Sequence, residues 1–96
     1  MGKRRAQRLE SVPVVIRQFR NRSGLTQVKV GERMGVSNTY ISGLETGKDY
    51  PSINTIIRVA KALEVRPGEM VDAISDREDA EQAKLAGQIQ PPTKQN

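Results

Sequence analysis

The chain has no cysteine, no histidine and no tryptophan, and its only aromatic residues are Phe19, Tyr40 and Tyr50. Without cysteine there is no disulfide and no thiolate metal site. Without histidine as well, the common zinc, haem and general-base arrangements have lost their usual ligands. Long apolar runs are also missing, so no segment is expected to span a bilayer. The charged opening MGKRRAQRLE has no apolar stretch behind it that would read as a signal peptide. Ala6 stands where a myristoylation pattern on Gly2 needs Ser or Thr. There is no GxxxxGK[ST] phosphate loop and no clustered carboxylate pair with a plausible pocket. The expectation is a soluble, cytoplasmic protein that is not an enzyme, holds no cofactor or metal and does not enter a membrane.

What is present is one small domain's worth of chain, 96 residues with a net charge of +5. That length suits about five short helices around a single core, a size at which a partner subunit adds useful stability. The charge is unevenly spread. Lys3, Arg4, Arg5, Arg8, Arg17, Arg20 and Arg22 face only Glu10 within the first 22 residues, which leaves the remainder close to neutral. Residues 1–10 read as a flexible basic arm, of a kind suited to lie on phosphates.

Helical periodicity then takes over. Ser11-Val12-Pro13 opens a first helix, with Ser11 as cap and Val12, Val15, Ile16 and Phe19 at core spacing, closed by Ser23-Gly24. Thr26 caps a second helix to Met34, with Val28, Val30 and Met34 on its apolar face. A third runs from Asn38 to Glu45 behind a Ser37 cap and buries Ile41 and Leu44. After the polar turn Thr46–Tyr50 and Pro51, Ser52 caps a fourth whose Ile53, Ile56, Ile57, Ala60 and Leu63 face the core. A short fifth, from Pro67 to Ile74, contributes Met70, Val71 and Ile74. Beyond it, residues 75–96 offer only Leu85 and Ile89 as sizeable apolar side chains. They read as a mostly disordered polar tail with at most a marginal helix over 76–86, since an isolated helix that short is barely stable in water.

Within this pattern the segment from Leu25 to Leu44 carries the most information. It is two short helices hinged at Gly35-Val36-Ser37. The exposed residues of the second, Asn38, Thr39 and Ser42, are small hydrogen-bonding side chains rather than Lys and Glu. A helix with that surface is suited to the major groove, where base edges present donors and acceptors.

The chain resembles the Cro/C1-type (XRE family) helix-turn-helix domain from about Val15 to Ile74. The resemblance rests on Gly24-Leu25-Thr26-Gln27, Gly35-Val36-Ser37, Tyr40-Ile41-Ser42-Gly43-Leu44-Glu45, Gly47-Lys48, Pro51-Ser52 and Val59-Ala60-Lys61-Ala62-Leu63. It implies an all-α, compact five-helix bundle of the lambda-repressor-like type over residues 11–74, with the helix-turn-helix at about 26–45. It also implies a transcription regulator that binds double-stranded DNA as a homodimer on a pseudo-palindromic operator, in a bacterial or phage setting.

Carried over by position, the resemblance implies base reading by Asn38, Thr39 and Ser42. It implies backbone contacts from Gln27, Ser37, Tyr40 and Lys48, and a structural pair between Arg20 and Glu45. The basic Arg4 and Arg5 of the arm, and Lys29, join the backbone set on charge grounds. Lys29 stands where relatives often carry a capping-box Glu, and a cation there opposes the helix dipole unless a phosphate lies opposite. Gly31 replaces a favoured Ala, and Gly43 stands where many relatives carry a long polar or basic side chain. Glu64 and Arg66 replace the usual Gly and Ser before helix five. Val65, Met70 and Ile74 are the apolar candidates for a dimer interface near that helix, with ordinary core packing the alternative role for at least one of them. An alternative function is an antitoxin-like interaction module whose tail, residues 75–96, binds a protein partner.

Overall fold

The computed structural model describes residues 8–89. They form five α-helices: α1 (Ser11–Ser23), α2 (Gln27–Met34), α3 (Asn38–Thr46), α4 (Ile53–Ala62) and α5 (Pro67–Ile89). No strand occurs among the described residues.

Three of the helices start on a side-chain cap. Thr26 Oγ1 accepts from the Lys29 amide at 3.0 Å, Ser37 Oγ from Tyr40 at 3.1 Å and Ser52 Oγ from Thr55 at 3.1 Å. Each bond satisfies an amide that has no partner inside its helix. α1 starts differently from the sequence expectation. Ser11 is the first helical residue rather than the cap, and its hydroxyl donates to Glu78 Oε2 at 2.6 Å. The carboxylate of α5 thus meets the N-terminal end of α1, where its charge complements the helix dipole.

α1 packs on α3 and α5, α2 on α3 and α4, and α4 on α5. The core runs between them as Val12, Val15, Ile16, Phe19, Val30, Met34, Ile41, Leu44, Ile56, Val59, Ala60, Leu63, Met70 and Ile74. Each fully buried aliphatic side chain contributes about 1.5–3 kcal/mol relative to leaving it in water. Several apolar residues expected inside lie outside. Val28 is 52% exposed and Ile53 64%, and Ile57 and Val71 are exposed as well. The reason is angular. Val28 sits about 200° round the helix from Val30, and Ile57 about 100° from Ile56, so a stripe centred on the truly buried positions leaves both on a flank. Met70 and Ile74, candidates for either the core or an interface, lie in the core, and Val65 packs half-buried against it.

The largest departure concerns the C-terminal part. α5 does not stop at Ile74 but continues through Asp76 and Gly87 to Ile89, so residues 75–89 are helix rather than a disordered tail. Arg77, Glu78 and Glu81 are half-buried, and the Ser11–Glu78 bonds tie this stretch to α1. Extension from an already formed turn avoids a second nucleation step, and the Ala, Glu, Gln, Lys and Leu that follow are strong helix formers. The arm through residue 7, which includes Arg4 and Arg5, and the tail from residue 90 lie outside the described residues.

Candidate nucleic-acid interface

The geometry of the site begins with a close approach. A Cβ on Gly31 would meet the Val36 carbonyl oxygen at 2.7 Å, so α2 can cross the turn this tightly only because the position has no side chain. The turn itself is fixed by Val36 N–H donating to Gly31 O at 2.9 Å and Gly35 N–H to Glu32 O at 3.3 Å. This double closure requires the left-handed backbone that Gly35 adopts at φ 73°.

α3 leaves this turn with its orientation set from below. Ile41 and Leu44 enter the core, and Glu45 is buried, its side chain only 2% exposed. Arg20 closes a two-point bridge on it, Nε to Oε2 and Nη2 to Oε1 at 3.0 Å, and donates from Nη1 to the Leu25 carbonyl at 2.9 Å. The hydrogen bonds to Glu45 raise the Arg20 pKa above its ordinary value; burial opposes this and the Glu45 charge assists it. The guanidinium is therefore charged at every accessible pH. Gln27 joins the same cluster by donating from Nε2 to Glu45 Oε1 at 3.1 Å. Gln27, expected at the DNA backbone, is half-buried here and uses its amide to brace α3.

The outward side of α3 carries Asn38 and Thr39, both exposed, and the half-buried Ser42. Their spacings of three and four residues put them on one face. None of the three side chains hydrogen-bonds to another described residue, and the cap of α3 is Ser37. Ser37 Oγ accepts from Tyr40 N–H, which leaves its own proton free to be donated outward. Tyr40 lies about 200° round the helix from Asn38 and packs half-buried against the core. Lys29 is exposed, with Nζ 3.3 Å from Glu32 Oε1, and Lys48 is exposed on the loop after α3.

Several contributors were not visible in the sequence. Gly43 stands where relatives often carry a long side chain, and a Cβ there would lie 2.0 Å from Asp49 Oδ2. The Asp49 side chain lies in the space a side chain at 43 would take, and the Gly43 carbonyl accepts from the Gly47 and Asp49 amides. Thr46 is exposed one turn beyond Ser42 and extends the polar stripe. Arg33 and Arg58 lock α2 to α4 by donating to the Ala62 and Met34 carbonyls at 2.7 and 2.6 Å. Tyr50 holds the chain at Leu9, 41 residues away, and no local pattern announces that pairing.

A model of the helix-turn-helix family matches residues 16–70, more than half of the chain. The chain belongs to the Cro/C1-type helix-turn-helix family. It is 41% identical over 54 residues to the HTH-type transcriptional regulator y4dJ of Sinorhizobium fredii, a match covering 56% of this chain and 70% of that protein. It is 34% identical over 58 residues to the control protein C.BamHI of Bacillus amyloliquefaciens, covering 59% of this chain and 72% of the relative. Among solved structures, the restriction-modification controller protein C.Esp1396I, as a tetramer in complex with its natural 35 base-pair operator, superposes with a TM-score of 0.65 at 28% identity. That match covers 71% of this chain and 90% of the other. The family match ends at residue 70, so the rest of α5 lies outside it. No helix among the described residues is long and apolar enough to cross a membrane.

Proposed function

We propose that the chain is a sequence-specific regulator of transcription that places α3 in the major groove of double-stranded DNA and acts as a homodimer on a pseudo-palindromic operator. The observation that carries this reading is the face formed by Asn38, Thr39 and Ser42. Three small polar side chains without hydrogen-bond partners among the described residues stand on a helix whose opposite side is locked by the Arg20–Glu45–Gln27 cluster. An Asn amide matches the donor and acceptor of adenine, and Thr and Ser hydroxyls serve either partner.

Phosphate contacts come from Lys29, Lys48, the Ser37 hydroxyl and Tyr40, with the α2 N-terminus adding amide donors. The basic arm, with Arg4 and Arg5, adds a sequence-independent attraction. That the controller protein C.Esp1396I is a tetramer on its operator supports both DNA as the target and association of subunits. Work of this kind belongs in the cytoplasm of a bacterium or in a phage-infected cell.

The test is selection of binding sites from random duplex DNA at physiological salt. A two-fold symmetric motif with half-sites about one helical turn, roughly 34 Å, apart is the expected product. A folded sample that enriches no motif would overturn the reading and favour a protein partner for the C-terminal part of the chain.

A further inference from the structure

The loop after α3 folds back on the helix it follows. Asp49 N–H donates to the Gly43 carbonyl at 3.0 Å, and the Gly47 N–H that closes α3 reaches the same oxygen at 3.1 Å. The Asp49 side chain then lies on Gly43: a Cβ there would overlap Oδ2 and stand 2.9 Å from Cγ. Gly43 comes four residues after Thr39 and three before Thr46, about 40° and 60° round the helix axis from them. Both threonines are exposed. The carboxylate is thus held at the edge of the polar face of α3, in the place from which a side chain at position 43 would start.

It stands there without a partner. The ion pairs among the described residues are Arg20–Glu45, Lys29–Glu32 and Arg33–Glu64, and no described group donates a hydrogen bond to an Asp49 carboxylate oxygen. Lys48, the neighbouring cation, is exposed and does not pair with it. Asp49 is half-buried, and a carboxylate turned from water onto a helix gives up hydration that nothing described here returns. On a surface that meets DNA it cannot serve as a phosphate contact, because like charges repel. What it can meet is a donor on a base edge.

We propose that Asp49 is a specificity-determining residue for DNA binding: its carboxylate, seated on Gly43, accepts from the exocyclic amino group of a cytosine in the major groove, beside the bases read by α3. This role rests on the DNA-binding reading above and adds a reading group that comes from the loop rather than from the helix. An ionised carboxylate only accepts. In the major groove guanine presents acceptors alone, and thymine an acceptor and a methyl group. Adenine has a donor but sets the N7 acceptor beside it, which repels a second negative oxygen. Cytosine presents its N4 amino donor with no acceptor of its own, so its edge suits Asp49 best.

The experiment uses the full-length chain as wild type, Asp49→Asn, Asp49→Ala, Gly43→Ala and the double variant Gly43→Ala with Asp49→Ala. Each base pair of one half-site of the selected operator is substituted in turn and affinity is measured by competition, with thermal unfolding as a check on the fold. The wild type is expected to prefer cytosine at one position by about tenfold, within the range of one good base contact. Asp49→Asn fills the same space and should cut that preference to about twofold, leaving the other positions and the melting temperature unchanged. Gly43→Ala favours the helix, but its Cβ displaces the carboxylate. It should therefore relax the same position in the wild type and change nothing further in Asp49→Ala.

Wild-type preference at every position in Asp49→Asn would overturn the proposal, as would a wild-type profile in which no position prefers cytosine. So would an even loss of affinity with a lowered melting temperature in both Asp49 variants, which would make Asp49 a packing residue. A Gly43→Ala effect of full size in the Asp49→Ala background would do the same, by assigning the change to the helix. Absence of selective binding by the wild type would instead remove the DNA-binding reading itself, so the two failures are distinguishable.

Discussion

Asn38 stands exposed at the first position of α3 with its amide uncommitted to any described residue, so its replacement removes little from the fold. Asn38→Ala is expected to cost about 1–3 kcal/mol on the cognate site and to relax base preference at one position of each half-site. Competition binding against single-base variants of the operator measures this, and an unchanged preference would take Asn38 out of the reading set.

Glu64 makes the opposite case. It lies at φ 62°, the only non-glycine described residue with positive φ, and closes α4 through Glu64 N–H to Lys61 O and Val65 N–H to Ala60 O. A left-handed residue bearing a Cβ costs about 1–2 kcal/mol. The exposed Arg33–Glu64 pair at 3.5 Å returns only a few tenths. Glu64→Gly should therefore stabilise the domain by about 1 kcal/mol even after the looser unfolded chain is counted, raising the melting temperature by about 4–8 °C. A lower melting temperature would show the ion pair outweighing the strain. The sequence made the departure at position 64 visible. It could not show its cost, because the cost depends on the backbone angle.

At the scale of elements, what was legible was local. Thr26, Ser37 and Ser52 announce their helices because a cap reaches only three residues ahead. The polar face of α3 was legible for the same reason, since spacing alone places Asn38, Thr39 and Ser42 together. What was not legible depends on partners far along the chain. The inward turn of Gln27 follows its bond to Glu45, the crowding at Gly43 comes from Asp49, and α5 is tied to α1 by Ser11, 67 residues before Glu78.

The last of these is open to test. Glu78→Ala removes the acceptor for the Ser11 hydroxyl and amide, a loss of about 1–2 kcal/mol for bonds to a charged group at a partly buried site. The turns of α5 beyond Arg77 then lose their tie to α1 and fray. A fall in helical circular dichroism at 222 nm, together with faster amide exchange after residue 77, is the expected result. Unchanged helicity would mean that the intrinsic propensity of residues 79–89 suffices.

At the scale of the whole molecule, the recognition surface of one chain is small. The proposed reading set on α3 is three side chains, each worth about 1–3 kcal/mol at best, and α3 itself is nine residues long. Part of that gain is spent on ordering and desolvation. A single copy therefore distinguishes its site from bulk DNA only modestly. Two copies fixed to each other at one helical turn bind the second half-site as an intramolecular event, which multiplies affinity without adding any new kind of contact. The proposed homodimer thus makes a quantitative demand. Scrambling one half-site of the selected operator should lower affinity by more than tenfold at constant salt. Titrations begun below the dimer dissociation constant should be steeper than a single-site curve, because dimerisation and binding are then coupled by mass action. An operator with one intact half-site that binds as well as the symmetric one, with a single-site curve at every protein concentration, would mean that one chain suffices. Selectivity would then have to come from contacts outside α3.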